Sequence, residues 1–192
     1  KEQLTVSSPG IVLDTLTVQD LLRRYMTLSG MSGTMVAVAE ELAEFYSLRS
    51  GRIERRLPNQ RTDLPQRVFL DEDSRVDAVL VEARERHRAG QPVLVGTQSV
   101  AESEHYAKVL AEAGIEAHVL NARNDAREAA VIAEAGEYGA VTISTQMSGR
   151  GTDIRLGGID EHDHRRVARS GGLAVLQIGR YPSGRLDAQL RG

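Results

Sequence analysis

The N-terminal third of the chain carries irregular apolar spacing. Val18, Leu21, Leu22 and Tyr25 recur at helical intervals behind Thr17 and Asp20, which read as a capping box opening a helix through Met26. Leu28-Ser29-Gly30-Met31-Ser32-Gly33-Thr34 interrupts that pattern. Its two glycines allow backbone to lie close to another surface, and Thr34 is placed to cap a helix whose apolar positions run from Met35 to Tyr46. Residues 51–66 form an arginine-rich connection with turn signals at Pro58-Asn59-Gln60 and Leu64-Pro65, and Arg67-Val68-Phe69-Leu70 follows as a short strand.

From there the rhythm is regular. Ser74 with Asp77 signals a helix that shows Val76, Val79, Leu80 and Ala83 on one face and ends at Gly90. Pro92-Val93-Leu94-Val95-Gly96 is an unbroken apolar run of strand length, and Ser99 with Glu102 caps the next helix, closed by Gly114. Ala117-His118-Val119-Leu120 reads as a strand, Asp125 to Ala135 as an Ala-rich helix ended by Gly136, and Ala140-Val141-Thr142-Ile143-Ser144 as a strand buried on both faces because it does not alternate. Gly172 to Ile178 supplies another. Helix and strand alternating in this way predict an α/β fold, a parallel sheet with helices on both faces and ligands at the carboxyl ends of the strands. Function is therefore expected in the loops after Val95, Leu120, Ser144 and Ile178.

Composition narrows the classes. The chain has 192 residues, 41% apolar and 27% charged, with a net charge of −3, which suits a globular protein of one domain or slightly more. It has no cysteine, which excludes disulfides, zinc ribbons and thiolate nucleophiles. No apolar run approaches the roughly 18 to 20 residues that cross a bilayer, so an integral membrane protein is not expected. The slight acidic excess, 4% aromatics and lack of Trp speak against a nucleic-acid binder. The absence of an initial Met and the stop at Leu190-Arg191-Gly192, inside an apparent helix start, read as a fragment.

The segment richest in chemistry is Val141-Thr142-Ile143-Ser144-Thr145-Gln146-Met147-Ser148-Gly149-Arg150-Gly151-Thr152-Asp153-Ile154, followed by Leu156-Gly157-Gly158. A buried strand feeds a loop in which Gly149 and Gly151 flank Arg150, whose planar cationic fork suits phosphate. Asp153 can accept hydrogen bonds from hydroxyls or orient that arginine. A glycine-rich structural turn with a surface Asp–Arg pair is the plain alternative.

The string Thr-x-Met-Ser-Gly-Arg-Gly-Thr-Asp-Ile-x-Leu-Gly-Gly closely resembles the second nucleotide-binding lobe of SecA, the bacterial preprotein translocase motor. The likeness extends through Leu28–Thr34, Gly90–Thr97 with Ser99 and Ser103-Glu104, Val119-Leu120-Asn121-Ala122-Arg123, and Arg185-Leu186-Asp187-x-Gln189-Leu190-Arg191-Gly192, in the family's order. The resemblance implies a RecA-like lobe of a two-lobed superfamily-two ATPase that drives unfolded preproteins through the SecY channel. By that likeness residues 1–16 are a connecting segment from a preceding domain, and residues 17–192 are the second lobe, truncated within the last helicase motif. Gly149, Arg150, Gly151 and Asp153 would face ATP, with Arg150 as the catalytic residue. Gln189 would open the last motif and contribute to ATP binding, and Gly30, Ser32, Gly33 and Thr34 would couple nucleotide state to lobe movement.

No Gly-Lys dipeptide occurs, hence no G-x-x-x-x-G-K-[ST] phosphate loop, and no buried strand run presents Asp71-Glu72-Asp73 to a metal. Mg2+ ligands are therefore expected on the first lobe, and the isolated chain is expected to be inactive. The implied partners are that first lobe, SecY, unfolded preproteins and an anionic membrane surface, with a homodimer open. The implied location is cytoplasmic, peripheral on the inner face of the cell membrane.

Where the housekeeping family carries Glu, His and a second Arg before Gln189, this chain has Ile178-Gly179-Arg180-Tyr181-Pro182-Ser183-Gly184 ahead of Arg185. With a short segment from Asp160 to Ser170, the departure implies an accessory SecA of an actinobacterial kind. The rival readings are an RNA helicase lobe and a regulatory module that keeps only the fold. Glu161-His162-Asp163-His164 is read as a solvated helix start, since neighbours on one short polar segment rarely converge on one ion. Arg84-Glu85-Arg86-His87-Arg88 is read as a solvated helix end suited to the helix dipole.

Overall fold

Strands that lack polar alternation need cover on both faces, and the arrangement around Val93-Leu94-Val95 supplies it. The computed structural model describes residue 12 and residues 14–120, 128–145, 154–160 and 162–191. The chain divides into two compact units, residues 1–61 and 62–192.

In the first unit Thr17 caps helix α1 (Val18–Arg23), its hydroxyl oxygen accepting from the Asp20 N–H at 3.1 Å. The helix stops at Arg23, three residues before Met26, and the Arg23 guanidinium Nε donates to the Phe45 carbonyl at 2.8 Å. The expected helix over 35–46 is a 3-10 turn over Met35–Val38 followed by α2 (Ala39–Tyr46). Thr34 makes no side-chain cap there: its φ of −114° and ψ of 13° lie outside the extended backbone of a cap, and its hydroxyl meets that of Ser32 at 3.2 Å.

The second unit opens with a correction. Residues 67–70 form no strand: Val68 and Leu70 stand exposed, and a four-residue run without a neighbour to accept its hydrogen bonds has nothing to pair with. Helix α3 (Glu72–Arg88) then starts at Asp71 and not at Ser74. The Asp71 carboxylate accepts from the Ser74 N–H at 2.7 Å and its hydroxyl at 2.9 Å, which places Ser74 inside the first turn. Those bonds hold the Asp71 pKa below the usual carboxylate value. Gly90, at φ +73°, ends α3 as expected and lies so close to the Tyr138 ring that no Cβ fits.

Among the described residues four strands follow: β1 (Val93–Thr97), β2 (His118–Leu120), β3 (Val141–Thr145) and β4 (Ala174–Gln177). Between them lie α4 (Val100–Glu112), α5 (Glu128–Glu134) and α6 (His164–Arg169), and α7 (Gly184–Arg191) follows β4. The sheet order is β2-β3-β1-β4 and every pairing is parallel. The Asp125–Glu128 start expected for α5 lies at or beyond the edge of the described residues.

Register decides what each face carries. Val93 and Val95 align with Val141 and Ile143 on one side and with Ala174 and Leu176 on the other, and Val119 aligns with Ile143. These side chains share one face, against which α3 and α4 pack Ala83, Tyr106 and Leu110, with Val76, Val79, Leu80 and Ala107 around them. The opposite face carries Gly96 under α7, where a Cβ would come within 2.3 Å of Leu190 Cδ2. The glycine at that point lets the last helix close on the sheet. The structure thus has the RecA-like plan of a parallel sheet with helices on both faces. No helix among the described residues is long and apolar enough to cross a membrane.

Candidate functional site

The carboxyl ends of the strands are where parallel sheets offer backbone groups to ligands. Thr97 and Thr145, paired in register, end β1 and β3, and the Thr97 hydroxyl donates to the Ser144 carbonyl at 3.3 Å. Both threonines are buried, as are Thr142 and Ser144, so this edge is polar inside the sheet.

Beyond Thr145 the candidate loop begins. Gly149, Arg150, Gly151 and Asp153 lie outside the described residues. The stem on the far side of that loop is described and is tied down backbone to backbone. Gly157 N–H donates to the Gly136 carbonyl at 2.7 Å, and Gly158 N–H to the Arg155 carbonyl at 3.1 Å. Gly136 is buried against this stem, and a Cβ on it would lie 1.9 Å from the Arg155 carbonyl oxygen. The His164 ring nitrogen Nδ1 meets the Leu156 carbonyl at 3.1 Å, closing the same corner.

Gln189 lies on α7 and is exposed, while Leu190 beside it is turned onto Gly96. Gly30, Ser32, Gly33 and Thr34 belong to the first unit. There the Thr34 N–H donates to the Ser32 hydroxyl oxygen at 3.3 Å, and both glycines face open space.

Three residues that spacing alone did not single out organise the approach to α7. The Gln98 side-chain amide donates to the carbonyls of Ile178 at 3.3 Å and Arg180 at 3.1 Å. Tyr181 is buried and its hydroxyl donates to the Thr97 carbonyl at 3.2 Å. Asp187 accepts from the Tyr181 N–H at 3.0 Å and from the Gln177 side-chain amide. Burial, then the charges of Asp187 and Glu102, push the Tyr181 pKa up to about 12. A signal for Asp187 existed in the sequence, because it stands inside the Arg185–Gln189 string; Gln98 and Tyr181 left none.

Among the described residues no group of three or more His, Cys, Asp or Glu side chains could hold a metal ion. The Thr97 hydroxyl is turned inward, onto the Ser144 carbonyl.

Comparison with known proteins adds two family matches and close relatives. Residues 58–166 match the SecA P-loop domain, and residues 1–43 match the SecA DEAD-like domain. Over all 192 residues the chain is 56% identical to the protein translocase subunit SecA 2 of Thermobifida fusca (strain YX), covering 25% of that protein. It is 55% identical over its whole length to the SecA 3 of Mycolicibacterium vanbaalenii and 54% identical to the SecA 2 of Mycobacterium sp. (strain KMS). It covers 24% of the former and 25% of the latter, so the chain spans about a quarter of the length of these relatives. A family match over more than half of the chain, carried on a parallel α/β sheet of the expected plan, establishes that this chain belongs to the SecA family.

Proposed function

We propose that this chain supplies the second nucleotide-facing lobe of a SecA-type translocation motor, one that couples ATP hydrolysis to preprotein export through the SecY channel. The observation that carries the reading is the Thr145–Gly158 string leaving the carboxyl end of buried β3, within a chain that resembles SecA 2 proteins from end to end. In this reading the unit from residue 62 onward is the core of the lobe and the remainder of 17–61 is carried with it. The match of residues 1–43 to the DEAD-like domain favours a lead-in from the first lobe and runs past residue 16 into the segment read as the start of the second.

ATP would lie between this lobe and a facing one that contributes the phosphate loop and the magnesium ligands. Gly149 and Gly151 let backbone approach the phosphates, Arg150 meets the charge that develops on the transferred group, and Asp153 orients it or accepts a ribose hydroxyl. Gln189 approaches from α7, and Gly30, Ser32, Gly33 and Thr34 carry closure of the cleft to the rest of the motor. Relatives named SecA 2 and SecA 3 favour an accessory motor over the housekeeping one. The motor works at the cytoplasmic face of the membrane, held there by SecY and anionic lipid.

The test is the ATPase of the full-length protein with unfolded preprotein or with RNA. Stimulation by preprotein supports the motor; stimulation by RNA alone means a helicase; no turnover with either means a regulatory module. Arg150→Ala should lower kcat by orders of magnitude more than it weakens nucleotide binding, and equal losses would remove Arg150 from the transition state.

A further inference from the structure

One side chain from the end of β1 reaches across to the turn between β4 and α7. Gln98 follows β1 directly, and its own N–H donates to the Glu102 carboxylate at 2.8 Å. Glu102 is in turn fixed by its N–H to the Ser99 hydroxyl at 3.1 Å and by Arg75 of α3 at 3.6 Å. The backbone of Gln98 is thus held from α3 and α4.

Its side chain reaches the other way. A primary amide has two N–H donors, and both are used on the carbonyls either side of Gly179. Only the nitrogen end can face two carbonyls, so the chemistry fixes the orientation of the amide. Gly179 sits at φ +69°, and a Cβ on it would lie 2.0 Å from the Gln98 amide nitrogen. The missing side chain of Gly179 leaves the room that the Gln98 amide occupies. One step later Tyr181 ties the same turn to Thr97 and to Asp187 of α7.

We propose that Gln98 is a positioning residue for the ATPase: it clamps the turn at 178–180 and so sets where α7 presents Gln189. This rests on the motor reading only for its kinetic consequence; the clamp itself stands on the geometry.

The experiment compares full-length wild type with Gln98→Leu, which keeps volume and loses both donors, and Gln98→Glu, which places a carboxylate against two carbonyls. Amide exchange of residues 178–191, measured without nucleotide, should quicken about tenfold or more in both variants at pH 8. ATPase should show kcat lowered about tenfold with KM for ATP little changed. Taken as ratios to wild type at the same pH, exchange and kcat of Gln98→Glu should recover as acidification protonates the carboxyl and restores one donor, while the ratios for Gln98→Leu stay flat. Unchanged exchange at 178–191 in both variants overturns the clamp. Quickened exchange with wild-type kcat overturns its role in turnover. A wild type without ATPase defeats the motor reading and leaves the exchange result to decide the clamp alone.

Discussion

Replacing Gly136 with alanine is the sharpest test of how the candidate loop is held. The residue needs no unusual backbone; what it needs is room, because a Cβ would stand 1.9 Å from the Arg155 carbonyl oxygen and 2.7 Å from its carbon. Ordinary contact begins near 3.4 Å, so Gly136→Ala must push the Arg155 backbone back by about 1.5 Å. That obstacle is main chain and cannot rotate aside. Forced displacement in a packed site costs about 1–3 kcal/mol. The same shift pulls on the Gly157-to-Gly136 hydrogen bond, worth about 1 kcal/mol. The total expected loss is about 2–4 kcal/mol. In urea, with a slope of about 2 kcal/mol per molar, the midpoint should fall by about 1–2 M at unchanged slope. Two other glycines of the same unit calibrate the measurement. Gly114 sits at φ +76° in open space, so Gly114→Ala should cost only the left-handed strain of about 1–2 kcal/mol. Gly184 opens α7 in open space without such strain, so Gly184→Ala should be neutral or stabilise by up to about 1 kcal/mol. A Gly136→Ala midpoint as high as that of Gly184→Ala would refute the close approach of the stem to Gly136.

Other consequences are as definite. Tyr181 loses its proton near pH 10 in the unfolded chain and near 12 in the folded one, so the folded state binds the extra proton and stability falls as pH rises from 10 to 12. Tyr181→Phe should flatten that fall in thermal melts across the window, leaving a smaller slope from Tyr106, whose pKa burial also raises. Ser99→Ala removes the acceptor for the Glu102 N–H and should cost about 1 kcal/mol, read as a lower melting midpoint. Leu110 is 1% exposed between α4 and the sheet, so Leu110→Ala should cost about 2–5 kcal/mol in urea unfolding, and a loss under 1 kcal/mol would place that face of α4 outside the core.

The alternation of helix and strand after residue 70 was legible because its signals are local. Unbroken apolar runs mark strands covered on both sides, Ser99 with Glu102 starts α4, and left-handed Gly90 and Gly114 end their helices. Asp71 was missed because two caps compete three residues apart, Asp71 reaching forward to Ser74 and Ser74 reaching forward to Asp77, and only the extended backbone at Asp71 decides between them. Strand order was not legible at all, since β1 chooses β3 and β4 over its sequence neighbour β2. The clamp at Gln98 was hidden for the same reason: its partners are backbone carbonyls some 80 residues away, and carbonyls have no letter in the sequence. Conversely the loop around Arg150 was plain from its residues, yet Gly136, which braces its stem, looked like an ordinary helix stop.

The sheet order has a consequence for how the chain is made. β1 is the hub, yet its partners begin 48 and 81 residues further on, at Val141 and Ala174. The first two of the described strands, β1 and β2, are not neighbours and have no hydrogen bonds to exchange. A ribosome adding about 5–20 residues per second therefore leaves β1 unpaired for several seconds, with its Val93-Leu94-Val95 run exposed to any passing strand. Among the described strands no pair can form until β3 is out, since β3 lies between β1 and β2 and β4 comes later still. Such long-range pairing folds slowly. A nascent chain stalled before Val141 holds neither of the described partners of β1, and its exposed apolar run is what chaperones bind.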